Sequence, residues 1–119
     1  MLSSKHRLKK KINFARIEID GKLIQSRSFG MGIYDRKDDE PSCFGFIIST
    51  KISKKAVTRN KIKRIISEVL RKNLTKLKNG LDVLFLIKPA VVKINKEDLE
   101  NETYEIITKN LQSNSLPNS

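Results

Sequence analysis

Between Lys51 and Lys72 the chain carries nine Lys or Arg residues against a single acid, Glu68, in a protein of 119 residues whose formal net charge is +12. At 100° per residue, Ile62, Ile65, Ile66, Val69 and Leu70 fall on one side of a helix, the stripe expected of an element packed on a core. Arg59, Asn60, Lys63, Arg64 and Arg71 fall together on another side. A helix that merely faces water mixes its signs, with Glu placed four residues before Lys. Here only Glu68 has such a partner, in Lys72. Crowded like charges oppose folding, so the pattern reads as a surface whose missing negative charge comes from a polyanion.

No other set of residues assembles a reaction. The one histidine, His6, stands near the start of the sequence, and no Ser/His/Asp or Cys/His constellation can be built around it. Asp38-Asp39-Glu40 is a carboxylate cluster that could hold Mg²⁺, but consecutive acids beside Pro41 read as a solvated turn. Cys43 is alone, so it has no partner for an internal disulfide and belongs to no metal-ligand spacing; it reads as the first residue of a strand. The inventory argues against a protein enzyme acting by itself.

The basic balance leaves nucleic acid or an anionic membrane surface as partner. Membrane-binding helices pair their cationic face with exposed Trp, Phe or Leu. The Lys51–Lys72 segment offers Ile and Val, and the chain has no Trp. Its longest apolar run, Val83–Ile87, is far short of the roughly 20 residues of a membrane span. The opening residues are followed by lysines with no apolar segment, so the expected location is the cytoplasm.

The elements that must position the basic helix follow from periodicity. The sequence predicts one domain over residues 1–111, with residues 1–13 a loose basic arm and 112–119 a disordered tail. Phe14–Asp20 reads as a strand or as a short helix closed by Gly21. Lys22–Tyr34 reads as one half-buried strand, 35–42 as a hairpin connection, and Phe44–Ser49 as a second strand. Ser53 is the expected N-cap of the basic helix, with Ile52 and Val57 as its staple, and the helix should run to about Asn73. Asp82–Lys88 is apolar enough for a central strand, stopped by Pro89. Asn95 should cap a last helix in which Leu99, Thr103, Ile106, Ile107 and Leu111 share a face. Five of the thirteen acids lie between Glu97 and Glu105, which turns that helix away from a polyanion. The strand–helix–strand run from Phe44 to Lys88 is a parallel crossover, right-handed by the general rule.

Several segments together resemble a known family. Arg7-Leu8-Lys9-Lys10 followed by Phe14, the strand Phe44–Ser49 entering a lysine-rich turn, Ala56–Arg64, and Gly80-Leu81-Asp82-Val83 resemble, in order and spacing, the bacterial ribonuclease P protein subunit over residues 5–111. The specific part is Arg59-Asn60-x-x-Lys63-Arg64, since amphipathicity alone does not fix those identities. The resemblance implies an α/β sandwich similar to a domain of ribosomal protein S5, with a mixed sheet of about four strands, packed helices and a left-handed crossover. It also implies that catalysis resides in an RNA subunit with bound Mg²⁺, which removes the 5′ leader of precursor tRNA while the protein contacts that leader. The implied partners are the catalytic RNA and precursor tRNA, with no membrane and no small-molecule substrate.

Carried over by position, Lys51, Lys54, Lys55, Arg59, Asn60, Lys61, Lys63, Arg64 and Arg71 would face the RNA subunit. Phe14, Phe46, Arg7, Lys9 and Lys10 would meet the leader, with Phe14 as the stacking aromatic. The chain departs from the family pattern at Thr50 and Ser67, where basic residues are usual, and at Lys61, where arginine's bidentate fork is lost. Glu18 and Gly32 stand where related chains often carry aromatics. The rival reading is a ribosomal or other general RNA-binding protein with the same fold. Self-association is left open by the sequence.

Overall fold

The apolar run Val83–Ile87 makes up most of strand β4 (Leu81–Ile87), which is buried throughout except for half-buried Leu86. A strand with no polar face must lie between neighbours and be covered above and below. β4 has both. The sheet order is β1-β2-β4-β3, with β1 at Lys22–Gln25, β2 at Phe29–Asp35 and β3 at Cys43–Ile47. β2 runs antiparallel to β1 and β4, and β3 runs parallel to β4, with Phe85 between Met31 and Phe46. This structure, a computed structural model, describes residues 4–8, 11–49, 51–52 and 55–112, with the side chains of residues 4 and 11–15 outside that description. Lys9, Lys10, Thr50, Ser53, Lys54 and the tail from residue 113 therefore lie outside the described residues.

Helix α1 (Lys11–Asp20) lies on one face of the sheet, and α2 (Ala56–Asn73) and α3 (Lys96–Leu111) cover the other. The larger core is on the second face. There Phe29, Met31, Phe44, Val83 and Phe85 meet Ile62, Ile66 and Leu70 of α2 and Leu99, Ile107 and Leu111 of α3. Phe29 and Phe85 pack edge to face with centroids 5.3 Å apart. α3 starts where expected, because the Asn95 side chain accepts the Asp98 N–H at 2.8 Å. The smaller core joins Leu8, Ile17 of α1 and Leu84.

The ambiguous segment after Phe14 is helical. Ile17 is buried while Ile19 is 78% exposed, since two residues turn a helix by 200°. Gly21 closes α1 by donating its N–H to the Ile17 carbonyl at 2.9 Å. A Cβ at Gly21 would stand 2.4 Å from that oxygen, so only glycine allows the chain to turn there into β1.

Four expectations are corrected. Lys22–Tyr34 is two strands rather than one, broken at Ser26-Arg27-Ser28 by a hairpin turn in which the Ser26 N–H donates to the Phe29 carbonyl. The turn is held by a residue far away in sequence. Glu102 of α3 accepts from both serine hydroxyls and from the Ser28 N–H at 2.8 Å. Residues 35–42 are not a hairpin connection, because β2 and β3 do not pair; β4 lies between them. The loop is pinned instead by Arg36, which bonds Asp38, the Pro41 carbonyl and the buried Asp82 at 2.5 Å. Gly80, at φ +82, touches the same loop so closely that a Cβ would lie 2.2 Å from the Asp38 carbonyl. Val57 is 80% exposed, so the expected staple over the start of α2 is not formed. Residues 1–13 are not a loose arm throughout: the Leu8 N–H donates to the Phe44 carbonyl at 2.9 Å, Arg7 bridges Phe44 in parallel, and α1 begins at Lys11.

Candidate nucleic-acid interface

α2 is built as its periodicity predicts. Ile62, Ile65, Ile66, Val69 and Leu70 are buried, as is Asn73, and they fix which side of the helix faces outward. Asn60, Lys61, Arg64 and Arg71 are exposed along that outer side, with Arg59 and Lys63 half-buried on its shoulder. At 1.5 Å per residue the ridge from Arg59 to Arg71 is about 18 Å long. Its beginning is the most positive part. The first turn holds no acid, and Lys55 occupies the N-cap position without a side-chain cap bond. The positive end of the helix dipole therefore adds to exposed Lys51 and Lys55.

Glu68 pairs with Arg71 rather than with Lys72, at 2.9 Å on the exposed surface. The Arg71 guanidinium holds the Glu68 carboxyl down at about 2. The single acid of the segment is thus charged at any working pH and occupied by Arg71, while Lys61, Lys63, Arg64 and Lys72 form no ion pair with a described acid. Ser67, at a position read as usually basic, is buried at 2% exposure and adds nothing to the outer face.

The second candidate surface is the sheet face under α1. Ile17 presses onto Gly32, where a Cβ would come within 2.6 Å of the Ile17 Cγ2 atom. An aromatic at position 32 would displace the helix, which is why this chain lacks one there. An aromatic does stand on the same face two residues later. Tyr34 packs beside the smaller core, and the Arg16 guanidinium lies 5.3 Å from its ring centroid, a cation–π contact between α1 and β2. Sequence reading missed this pair; the period of two along β2 from Gly32 to Tyr34 was the signal that could have found it.

The structure separates two residues that the sequence reading placed at the same leader site. Phe14 lies in α1, with its side chain outside the described residues. Phe46 packs against the core on the opposite sheet face, stacked on Phe85 at 5.3 Å and half-buried. Arg7 is exposed on the segment that runs along the free edge of β3, where the His6 ring nitrogen Nδ1 lies 2.8 Å from the Ser42 carbonyl. The carboxylates offer no fit for Mg²⁺. Asp38 is held by Arg36, and no group of three or more His, Cys, Asp or Glu among the described residues could hold a metal ion. No described helix is long and apolar enough to cross a membrane.

Comparison with known proteins supplies the family. The Ribonuclease P family profile matches residues 2–111. A ribonuclease P protein component from Pseudanabaena sp. is 28% identical over 109 residues, covering 92% of this chain and 94% of the relative. One from Microcystis aeruginosa is 34% identical over 107 residues, covering 87% and 89%. In three dimensions the chain is similar to the RNase P protein of Staphylococcus aureus, with a TM-score of 0.79 at 24% identity over 86% of this chain and 92% of that one. The Thermotoga maritima RNase P protein gives 0.75 at 22% identity over 87% and 96%. With nearly its whole length matched, the chain belongs to the ribonuclease P protein family.

Proposed function

We propose that this chain is the protein subunit of a ribonuclease P ribonucleoprotein, in which it binds the catalytic RNA and the 5′ leader of precursor tRNA and assists Mg²⁺-dependent endonucleolytic removal of that leader in the cytoplasm. The observation that carries the reading is the outer face of α2, where Arg59, Asn60, Lys63 and Arg64 stand together on a helix whose only acid is tied to Arg71. Lys51 and Lys55 extend that face toward the preceding turn, Lys61 adds to it within α2, and Arg71 extends it toward the other end; Lys54, outside the described residues, is proposed to act with them. Such a face neutralises phosphates and releases their counterions, which positions RNA without reading its sequence.

The leader would lie on the sheet face beside α1, with Phe14 stacking on a base and Arg7, Lys9 and Lys10 contacting its backbone. Phe46 points to the other face, so it is left out of this set. Hydrolysis is assigned to the RNA subunit and its Mg²⁺. In this reading the protein's role is to hold the substrate in place.

Reconstitution tests the proposal. Purified protein should leave precursor tRNA intact, and protein combined with ribonuclease P RNA and Mg²⁺ should release the leader faster than the RNA alone at low salt. Cleavage by RNA-free protein, or no effect of the protein on the RNA, would reject the reading. A general RNA-binding or ribosomal role would show as equal affinity for unrelated structured RNAs.

A further inference from the structure

The register of the sheet lines up Gln25, Gly30, Leu86 and Ile47 in one row across all four strands, next to the row Leu23, Gly32, Leu84 and Gly45. Ile17 of α1 sits on the second row, over Gly32. The first row stays open at both ends: Gln25 is exposed and Ile47 is 42% exposed, with buried Gly30 and half-buried Leu86 between them. At about 4.8 Å between strands, the row is a floor about 14 Å wide.

Gln25 does not point away from this floor. Its Oε1 lies 3.2 Å from where a Cβ on Gly30 would be, and Leu23 Cδ1 lies 3.7 Å from the same point. The carboxamide thus lies over the bare backbone of Gly30, which is buried beneath it, a close approach that a Cβ at position 30 would tighten by a few tenths of an ångström. It makes no hydrogen bond to a described residue, so both its donor and its acceptor remain available at the edge of an otherwise aliphatic floor. Single-stranded RNA is recognised by splaying out a base, supporting its flat face and bonding its edge. A carboxamide suits such an edge because it offers a donor and an acceptor side by side.

We infer that Gln25 reads one base of the leader, its carboxamide bonding the base edge while the ring lies on Leu86 and Ile47. The inference rests on the proposed leader site, and it assigns specificity to a residue of β1 rather than to a stacking aromatic.

The experiment uses preassembled holoenzyme and precursor tRNAs in which each leader position is varied through all four bases, with mature tRNA as the control. Wild type should discriminate between the best and worst base at one position by at least about fivefold in affinity. Gln25→Ala should flatten that ratio to within about twofold. Gln25→Glu keeps the shape but removes the donor, so it should shift the preference toward bases that present an amino group, such as cytosine. A uniform loss of affinity in Gln25→Ala with the wild-type base preference retained would make Gln25 a passive cover over Gly30 and overturn the inference. So would the absence of any preference in wild type. Holoenzyme that binds precursor and mature tRNA equally would instead reject the leader site itself, and the inference with it. Thermal unfolding of each variant, expected to match wild type on this exposed strand, separates these results from misfolding.

Discussion

Removing charge from the outer face of α2 should change how RNA binding responds to salt, by an amount that follows from the side chains displayed there. Lys51, Lys55, Arg59, Lys61, Lys63 and Arg64 are six cations, each exposed or half-buried, on the ridge and its leading turn. If each neutralises one phosphate, at roughly 0.7–0.9 in the logarithmic slope, binding to the RNA subunit should have a slope of about −4 to −5 and weaken roughly 300- to 1,000-fold from 50 to 200 mM salt. The double variant Lys63→Ala/Arg64→Ala should make the slope shallower by about 1.5, so its deficit relative to wild type should shrink roughly eightfold over the same range. Glu68→Gln works in the opposite direction. It releases Arg71 from its ion pair and should steepen the slope by up to about 1. Filter binding or fluorescence titration at four or five salt concentrations measures all three, with thermal unfolding as the control. Parallel slopes for wild type and the double variant, with both proteins folded, would refute the assignment of this face to phosphate contacts.

Three further outcomes are expected. Arg36→Ala leaves Asp82 buried and uncompensated in the central strand, where its Oδ2 already lacks a partner among the described residues, and should cost about 3–5 kcal/mol in urea unfolding; a loss below about 1 kcal/mol would show that the pair is not a clamp. At Glu102, burial raises the carboxyl pKa, but the hydrogen bonds from Ser26 and Ser28 outweigh it and leave it below the usual range. A lowered folded-state pKa contributes stability above the unfolded value of about 4.3 that disappears as pH falls through the folded value. The Tm difference between wild type and Glu102→Gln should therefore narrow below about pH 4, and an unchanged difference down to pH 3 would contradict it. Phe14→Ala in the holoenzyme should weaken precursor tRNA by up to about 1–3 kcal/mol and leave mature tRNA unaffected; equal losses for both would make Phe14 structural.

The parts of this fold that were legible in the sequence are those whose interactions are local. The stripe from Ile62 to Leu70 determines which side of α2 is buried, and the side left over is the basic face, so both were readable from spacing alone. The same holds for Asn95, whose cap bond reaches only to Asp98. Apart from the local Ile52–Val57 staple, which exposed Val57 does not form, what failed depended on distant partners. The break at Ser26–Ser28 is enforced by Glu102, more than seventy residues away, and the strand pattern of Lys22–Tyr34 carries no trace of it. The 35–42 loop looked like a hairpin because nothing within it shows that a later strand, β4, will be inserted between its flanks. Gly32 read as a missing aromatic, whereas its absence of a side chain is what lets Ile17 of α1 rest on the sheet. On the candidate leader face, Gln25 carried no signal, since its place depends on the register of β1 against Gly30.

The position of β4 also governs how the chain can fold as it is synthesised. The β1–β2 hairpin and β3 are joined only through β4, whose residues 81–87 come late in the chain. Until Ile87 has left the ribosome, β1 and β2 can form only an isolated hairpin, and β3 and α2 have no strand to pack against; such pieces are marginal in water. A nascent chain at that stage would have its cationic segment unsupported and its apolar stripe exposed. Completion of one strand then closes the antiparallel and the parallel pairings together, over long sequence separations that make the step slow and all-or-none. A chain ending before Leu81 should consequently show no partial fold, and premature termination yields a basic, aggregation-prone polypeptide rather than a smaller working domain.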